Sequence, residues 1–371
     1  MFSLARFLQR HDFQVRVLSS RASCYQTFGY ERELAELWCE SVSDPFLERY
    51  QSRLVSDRSQ PGFGGLGELL LPDRGVSLLP ALVWKALRHP VDVLVTSAPS
   101  HSTLLAGLLL KKLWGESVRW VVDYRDGWNG NPHFRKRNRL CQKLNESMER
   151  AVLSNCDVFS YVSQPIVESI PPVRLRALPL LIENGFDGQP AGARPLPAGK
   201  LKIGYFGSLD RARGVSLDSL LDALRQDPDL SERLEIHLFG TSVEPEAGLP
   251  LFSHGWIPHP QVRDSMGEMH YLLVAFGDPK SSREVVSGKL YEYLAARRPL
   301  LCLSPPDMEG RRLLEQLGVG CWADAGEPGE VATLLRALSL QHCQALQAVC
   351  DRLDLGPFSR EGQFRKLLEV L

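Results

Sequence analysis

The chain has 371 residues, of which 44% are hydrophobic and 23% charged, the balance of a folded protein of two or three domains rather than of a disordered one. Its 43 Lys and Arg face 44 Asp and Glu, a net charge of -1, so no global field draws it to nucleic acid and any anion site is local. Apolar runs such as 104–110 stop far short of the roughly 18–20 residues of a membrane-spanning helix, which predicts no transmembrane anchor.

The first ten residues, MFSLARFLQR, place Arg6 and Arg10 where an export signal keeps its apolar stretch, so a cytoplasmic chain is expected. The cysteines at 24, 39, 141, 156, 302, 321, 343 and 350 lack CxxC spacing and read as reduced, mostly buried thiols without a disulfide or zinc framework. The chain opens in a helical pattern (Phe2, Leu4, Ala5, Leu8) and then reaches a predicted strand at 13–18, where Phe13, Val15 and Val17 alternate. Further strands are predicted at 91–96, 120–123, 158–162 and 180–182, separated mostly by helical patterns. The second half repeats the rhythm at 202–206, 234–239, 272–276 and 300–303. Such alternation is the pattern of parallel sheet with crossover helices, so the fold class is α/β with two doubly wound, Rossmann-like domains. Between them, 187–199 (DGQPAGARPLPAG) has three prolines, three glycines and no apolar periodicity, and reads as a linker. A doubly wound domain normally begins with a strand that becomes central. Here a first strand and its loop are expected to be missing.

Gly62 to Gly67 (GFGGLG) fits GxGxxG, but a polar stretch ending in Pro precedes it instead of a strand, so a loop is expected. His101 lies in TSAPSHS after the 91–96 strand, where Ser100 or Ser102 suits a helix cap; its place at a strand's carboxyl end also makes it a ligand-side candidate. The next such loop, Asp123-Tyr124-Arg125-Asp126-Gly127-Trp128, crowds three charges and two aromatics into six residues. Arg125 and Asp126 are candidates to face a substrate there, the alternative being a local ion pair of Arg125 with Asp123 or Asp126. In the second half, Gly207 and Ser208 end a strand and Arg213 follows, a small residue for close approach and a guanidinium for phosphate. The strongest segment is 284–292, EVVSGKLYE. Ser287 suits an N-cap, so the amides of Gly288, Lys289 and Leu290 are expected to point from a positive helix end with a lysine attached. Glu284 and Glu292 would border the same cleft and accept hydroxyl hydrogen bonds, which suits a sugar nucleotide; a plain surface helix is the alternative.

At these residues the chain resembles a known family. Glu284 and Glu292 with the run KLYEYLAARRP (289–299) look like the family 4 retaining glycosyltransferases of the GT-B fold, in the branch with the K-L-Y-E-Y-L-A motif. ProAspArg at 72–74, ThrSerAlaProSerHisSer at 96–102, AspTyrArgAspGlyTrp at 123–128, AsnGlyPheAsp at 184–187, TyrPheGlySer at 205–208 and HisGlyTrpIlePro at 254–258 follow in the same order. The resemblance implies two domains facing each other across a cleft: 1–186 for the acceptor, 187–199 as linker, 200–350 for the nucleotide-sugar donor. It also implies that 351–371 forms a helix crossing back to the first domain. By position, Glu284 would bind sugar hydroxyls, Ser287 to Lys289 the diphosphate and Glu292 the ribose, with Gly207 admitting the diphosphate closely. Ser208 and Arg213 stand where relatives often carry other basic residues, and the family's first strand and Gly-rich loop are absent.

The expectation is therefore a metal-independent glycosyltransferase that moves a hexose-type unit from a UDP- or GDP-linked donor to a glycan or lipid-linked acceptor with retention. No cofactor is expected, the nucleotide sugar being a substrate. Lys289, Arg213, Glu284 and Asp126 are the catalytic candidates; Gly207, Ser208, Ser287, Gly288, Leu290 and Glu292 are on the donor side, and His101 and Arg125 on the acceptor side. The rival readings are a non-catalytic subunit of a polysaccharide assembly complex and a nucleotide-sugar epimerase of the same fold. The basic stretch 133–150, with Phe134, Leu140 and Leu144 interleaved, reads either as a solvated helix face or as a peripheral contact with the inner face of a membrane.

Overall fold

The computed structural model describes residues 2–20, 36–43, 70–132, 134–209, 211–241, 243–244, 246–276 and 286–371. Two compact units divide the chain: Met1–Glu183 with Gln363–Leu371, and Asn184–Gly362. The GFGGLG stretch at 62–67 lies outside the described residues.

In the first unit, helix α1 (Phe2–Gln9) buries Leu4, Phe7 and Leu8. Strands β1 (Arg16–Ser20) and β2 (Trp38–Val42) pair in parallel, Arg16 opposite Trp38. Then come α2 (Leu79–Leu87), β3 (Val93–Ala98), α3 (Ser102–Trp114), β4 (Arg119–Tyr124), α4 (Arg139–Asn155), β5 (Val158–Tyr161), the short α5 (Gln164–Glu168) and β6 (Leu178–Leu181). β3, β4, β5 and β6 form a parallel sheet in that order. Side chains alternate across it, as the two-residue period requires. Trp120, Val122 and Tyr124 join Leu104 and Phe159 on one face, while Val121 and Val158 join Leu4, Phe7 and Ile182 on the other.

That second face is closed by the end of the chain. Helix α13 (Arg360–Leu368) brings Phe364 and Leu367 onto it, and the buried Gln363 accepts the Glu183 amide proton at 2.9 Å. The first predicted strand shifts from 13–18 to Arg16–Ser20, because Phe13 and Val15 are drawn into packing against this same cluster.

In the second unit, β7 (Leu201–Phe206), α6 (Arg211–Gln226), α7 (Pro228–Arg233), β8 (Leu234–Phe239), β9 (Leu251–Ser253), α8 (His259–Gly267), β10 (Tyr271–Ala275), α9 (Gly288–Ala295), β11 (Leu300–Leu303), α10 (Glu309–Leu317), β12 (Gly320–Ala323), α11 (Pro328–Ala337) and α12 (Leu340–Arg352) follow. Their sheet runs β12-β11-β10-β7-β8-β9 and every pairing is parallel. Numbered from β7, this is the 3-2-1-4-5-6 order of the doubly wound fold. One apolar cluster lies on each face, around Leu220, Leu234 and Leu273 and around Leu290, Tyr293 and Leu314.

The stretch 187–199 is not a free connection but belongs to the second unit. The Ala191 amide donates to the Ala295 carbonyl at 2.7 Å, Arg263 donates to the carbonyls of Asp187 and Gln189, and Arg298 to those of Arg194 and Pro195. Proline and glycine mark it as irregular, yet its carbonyls are sequestered by arginines distant in sequence. The chain crosses between units at Glu183–Asn184 and again at Gly362–Gln363, not at 187–199 and 351.

Phe364 is 5% exposed and its ring lies 5.7 Å from that of Phe7. Phe364→Ala is expected to cost about 3–5 kcal/mol, read as a lowered denaturant midpoint of the first unit. A change within experimental error would mean that the terminal helix does not support that unit.

Candidate functional site

In an open parallel sheet, ligands bind beyond the carboxyl ends of the strands where the strand order reverses. In the second unit that point lies between β7 and β10. The two strands pair only at Ile203–Tyr271 and Gly204–Leu272 and then part, and the Phe206 N–H released by the splay donates to the buried Tyr293 hydroxyl of α9 at 3.0 Å. The crevice is thus bounded by the turn after β7 and by the amino end of α9.

Gly207 makes that turn with φ +130°, and a Cβ there would overlap the Lys289 side chain. Only glycine meets both demands. Lys289 Nζ donates to the Tyr205 hydroxyl at 3.1 Å and lies 4.7 Å from the ring centroid, and the hydroxyl donates onward to the Ser208 carbonyl at 2.7 Å. The ammonium is therefore held at the Gly207 turn. Ser287 caps α9, its hydroxyl accepting the Lys289 amide proton.

Not every expected amide is open. The Lys289 amide is taken by the Ser287 hydroxyl and the Leu290 amide by the Ser287 carbonyl at 3.0 Å, because the N-cap closes the first turn on itself. Leu290 enters this site as core, with its side chain 1% exposed. Gly288, at the tip, is exposed. Glu292, one turn further on, has its carboxyl pushed up by burial, opposed by Arg263, whose guanidinium is 3.9 Å away. Ser208 is exposed at the turn. Arg213 falls within the first turn of α6, and Glu284 lies outside the described residues. The structure thus brings Gly207 and Ser208 of the turn beside Lys289 at the Ser287–Gly288 end of α9, leaves Glu292 one turn along against Arg263, and adds Tyr205 and Tyr293, which the sequence reading passed over as strand and helix residues.

The first unit has its own cluster beyond β3 and β4. Asp73 is its hub: its carboxylate accepts from the hydroxyls of Ser100 (2.7 Å) and Ser102 (2.6 Å), and from the amides of Gly75, His101 and Ser102. The cap of α3 is thus a residue 28 positions away, and the serines expected to cap it serve instead as donors to that carboxylate. ProAspArg at 72–74 was its only signal in the sequence. His101 is 1% exposed and stacks on Trp128 with centroids 4.7 Å apart. Burial pulls its imidazole down to about 4, so the ring is neutral near pH 7. Asp123 is equally buried and accepts from Ser97, Ser160 and Arg125 at 2.8–2.9 Å. Arg125 therefore pairs with Asp123 and orders the loop, while Asp126 is exposed.

Behind this loop lies a buried group that periodicity hid. Glu149 of α4 is 1% exposed and accepts from the Tyr124 hydroxyl (3.3 Å) and from the Asn129 side chain (2.7 Å). Asn129 in turn receives Asn145, whose amide oxygen holds the Trp128 indole N–H. Burial pushes the Glu149 carboxyl up to about 7.

Residues 1–181 match the family of glycosyl transferase 4-like domains. A search of curated proteins found no match. Among solved structures the chain is similar to the glycosyltransferase SnogD from Streptomyces nogalater at 18% identity, over 100% of this chain and 95% of that one, TM-score 0.52. It is similar also to a structure described as trehalose-6-phosphate from E. coli bound with UDP-2-fluoro glucose, at 13% identity over 79% and 76%, TM-score 0.61. A third is the N-terminal domain of the Candida albicans trehalose-6-phosphate phosphatase, at 11% identity over 90% and 82%, TM-score 0.65. The fold is accordingly α/β of the GT-B type.

Glu149 and His101 titrate in opposite senses. The raised Glu149 carboxyl binds its proton more tightly when folded, so its contribution is complete below pH 4.5 and is lost as pH rises through about 7. The depressed His101 gives stability that is present above 6.5 and is lost as pH falls through about 4. Across the shared window the two offset each other. Glu149→Gln is expected to unmask the histidine, with the first unit gaining stability from pH 4.5 to 6.5. His101→Phe is expected to unmask the carboxyl, with a loss on the order of 3 kcal/mol from pH 4.5 to 7. Denaturant titrations of the variants across that range would contradict this if their pH profiles matched the wild type.

Proposed function

We propose that the chain is a metal-independent retaining glycosyltransferase that moves a sugar from a UDP- or GDP-linked donor to a glycan or lipid-linked acceptor. One observation carries the reading: at the switch point of a 3-2-1-4-5-6 sheet, a lysine ammonium at the amino end of α9 meets a glycine turn that leaves no room for a side chain. Such a place takes a diphosphate, through a fixed cation and backbone approach. Gly207 and Ser208 would face the diphosphate, with Lys289 on its charge and Gly288 presenting the helix end. Glu292, one turn along, would accept from ribose hydroxyls, and Glu284 from the sugar. The E. coli neighbour described with UDP-2-fluoro glucose supports a nucleotide sugar as donor.

In this reading catalysis is electrostatic. As the bond from the anomeric carbon to the diphosphate breaks and the acceptor oxygen bonds to that carbon, negative charge grows on the departing phosphate, and Lys289 and the α9 end, with Arg213 as a further cation, would lower its energy. The acceptor hydroxyl proton passes to that phosphate, so no separate base is required. The first unit would hold the acceptor through the exposed Asp126 loop, which Arg125 orders from its pair with Asp123 and beneath which His101 is buried. The stretch 133–150 would bring the enzyme to the inner face of a membrane when that acceptor is lipid-linked.

A nucleotide-sugar panel scored by donor-dependent nucleotide release tests the reading. Lys289→Ala and Glu284→Ala are each expected to lower transfer by about 10²–10³-fold, with circular dichroism and melting unchanged. Wild-type rates in both would remove this segment from the active site. Transfer is also expected to persist in excess chelator; a loss restored by Mg²⁺ or Mn²⁺ would overturn the charge assignment to Lys289 and Arg213.

A further inference from the structure

Six of the fourteen large hydrophobic side chains exposed among the described residues sit on three helices of the first unit. They are Trp84 and Leu87 on α2, Leu109 and Leu113 on α3, and Leu140 and Leu144 on α4. Helix α3 packs against both α2 and α4, so the three lie side by side, with α3 and α4 on one face of the sheet. Each pair is three or four residues apart, hence on one side of its helix. The inner sides are already spent on the core, through Leu104, Leu108, Val152 and Leu153. The outward leucines are therefore surplus to the fold.

The exposed charges flanking the pairs are mostly basic. Arg88 and Lys112 flank the α2 and α3 pairs, and Arg135, Arg139 and Lys143 the α4 pair, all exposed. The Arg88 guanidinium lies 3.5 Å from the Trp84 ring centroid. Of the acidic groups on α4, Glu149 is buried and Glu146 accepts from Gln142 at 2.9 Å; in the turn after α3, Glu116 is exposed, 3.7 Å from the Lys111 ammonium.

From this surface we infer that the outer face of α2, α3 and α4 docks on an anionic lipid bilayer. The inference deepens the membrane contact of the proposed function, and rests on that reading only for its purpose. A protein partner would call for a continuous apolar centre depleted of lysine. Here leucines and a tryptophan stand apart with long cationic side chains between them, which suits acyl chains under a layer of headgroup phosphates. No helix of the described residues is long and apolar enough to cross a membrane, so the contact is with the surface. The basic tract 133–150 is then one edge of a wider footprint that extends across α3 to Trp84.

Vesicle sedimentation without donor or acceptor tests this apart from the transfer reaction. The purified chain is expected to sediment with vesicles of equal parts phosphatidylcholine and phosphatidylglycerol, to stay in solution with phosphatidylcholine alone, and to be released by high salt. Each basic group at such a surface is worth about fivefold in partitioning, so Arg139→Glu with Lys143→Glu should weaken binding by at least ~10-fold. Leu109→Glu with Leu113→Glu, both exposed positions, should do likewise with an unchanged melting temperature. Equal binding to neutral vesicles, no binding to either, or wild-type binding by both variants would overturn the proposal. So would analytical ultracentrifugation showing a stable dimer that the leucine variant dissociates, since the face would then be occupied by a second copy of the chain.

Discussion

The second unit is organised around the contact of the Lys289 ammonium with the Tyr205 hydroxyl beside Gly207. It fixes a cation at the switch point. The turns beneath it are layered backbone on backbone. The Gly207 amide donates to the Phe239 carbonyl, the Gly240 amide to the Gly255 carbonyl, and a Cβ on Gly240 would press on Gly207 at 3.1 Å. All three glycines have positive φ. The strand ends β7, β8 and β9 therefore terminate in one glycine-lined layer, which is what permits α9 to bring its first turn so near. Tyr293 completes the arrangement from inside, receiving the Phe206 amide that the splayed strands leave over.

Much of this was legible in the sequence. The strands at 234–239 and 300–303 have the predicted bounds, and the others differ by up to three residues at an end, because buried parallel strands read as continuous apolar runs. Three strands escaped. Trp38–Val42, Leu251–Ser253 and Gly320–Ala323 are short and mixed in character, and the last two lie at the edges of their sheet, where one side needs no apolar cover. The cap at Ser287 and the glycine at 207 were readable because each is a local requirement of backbone geometry.

What stayed hidden was long-range. Asp73 caps α3 from 28 residues away, and Glu149 sits on a helix whose outward face is polar enough to make one more glutamate unremarked. Neither signal exists within a window of sequence. His101 was visible as a residue at a strand's carboxyl end, but its burial against Trp128 depends on the Asn145 and Asn129 relay that fixes that indole. Arg125 illustrates the same limit from the other side: the alternative of a local ion pair was written in its neighbours, and the structure makes that pair with Asp123.

The two units thus use charge differently. In the first, Asp73, Asp123 and Glu149 would each pass for a catalytic carboxylate by position, yet each is occupied by donors of its own unit. A buried carboxylate satisfied in this way holds loops in place, and its removal would be felt as misplaced backbone. In the second, the polar groups at the crevice are set by contacts between elements. Lys289 is held by Tyr205, and Glu292 lies 3.9 Å from the Arg263 guanidinium, with Asp187 and Arg360 also acting on the carboxyl that burial raises. These contacts join α9 to β7 and to α8, so the position of its amino end is set by the packing of the second unit. The first unit's satisfied carboxylates give it a rigid frame instead, and the surface left over for recognition is the exposed Asp126 loop at one end and the leucine and arginine face of its helices.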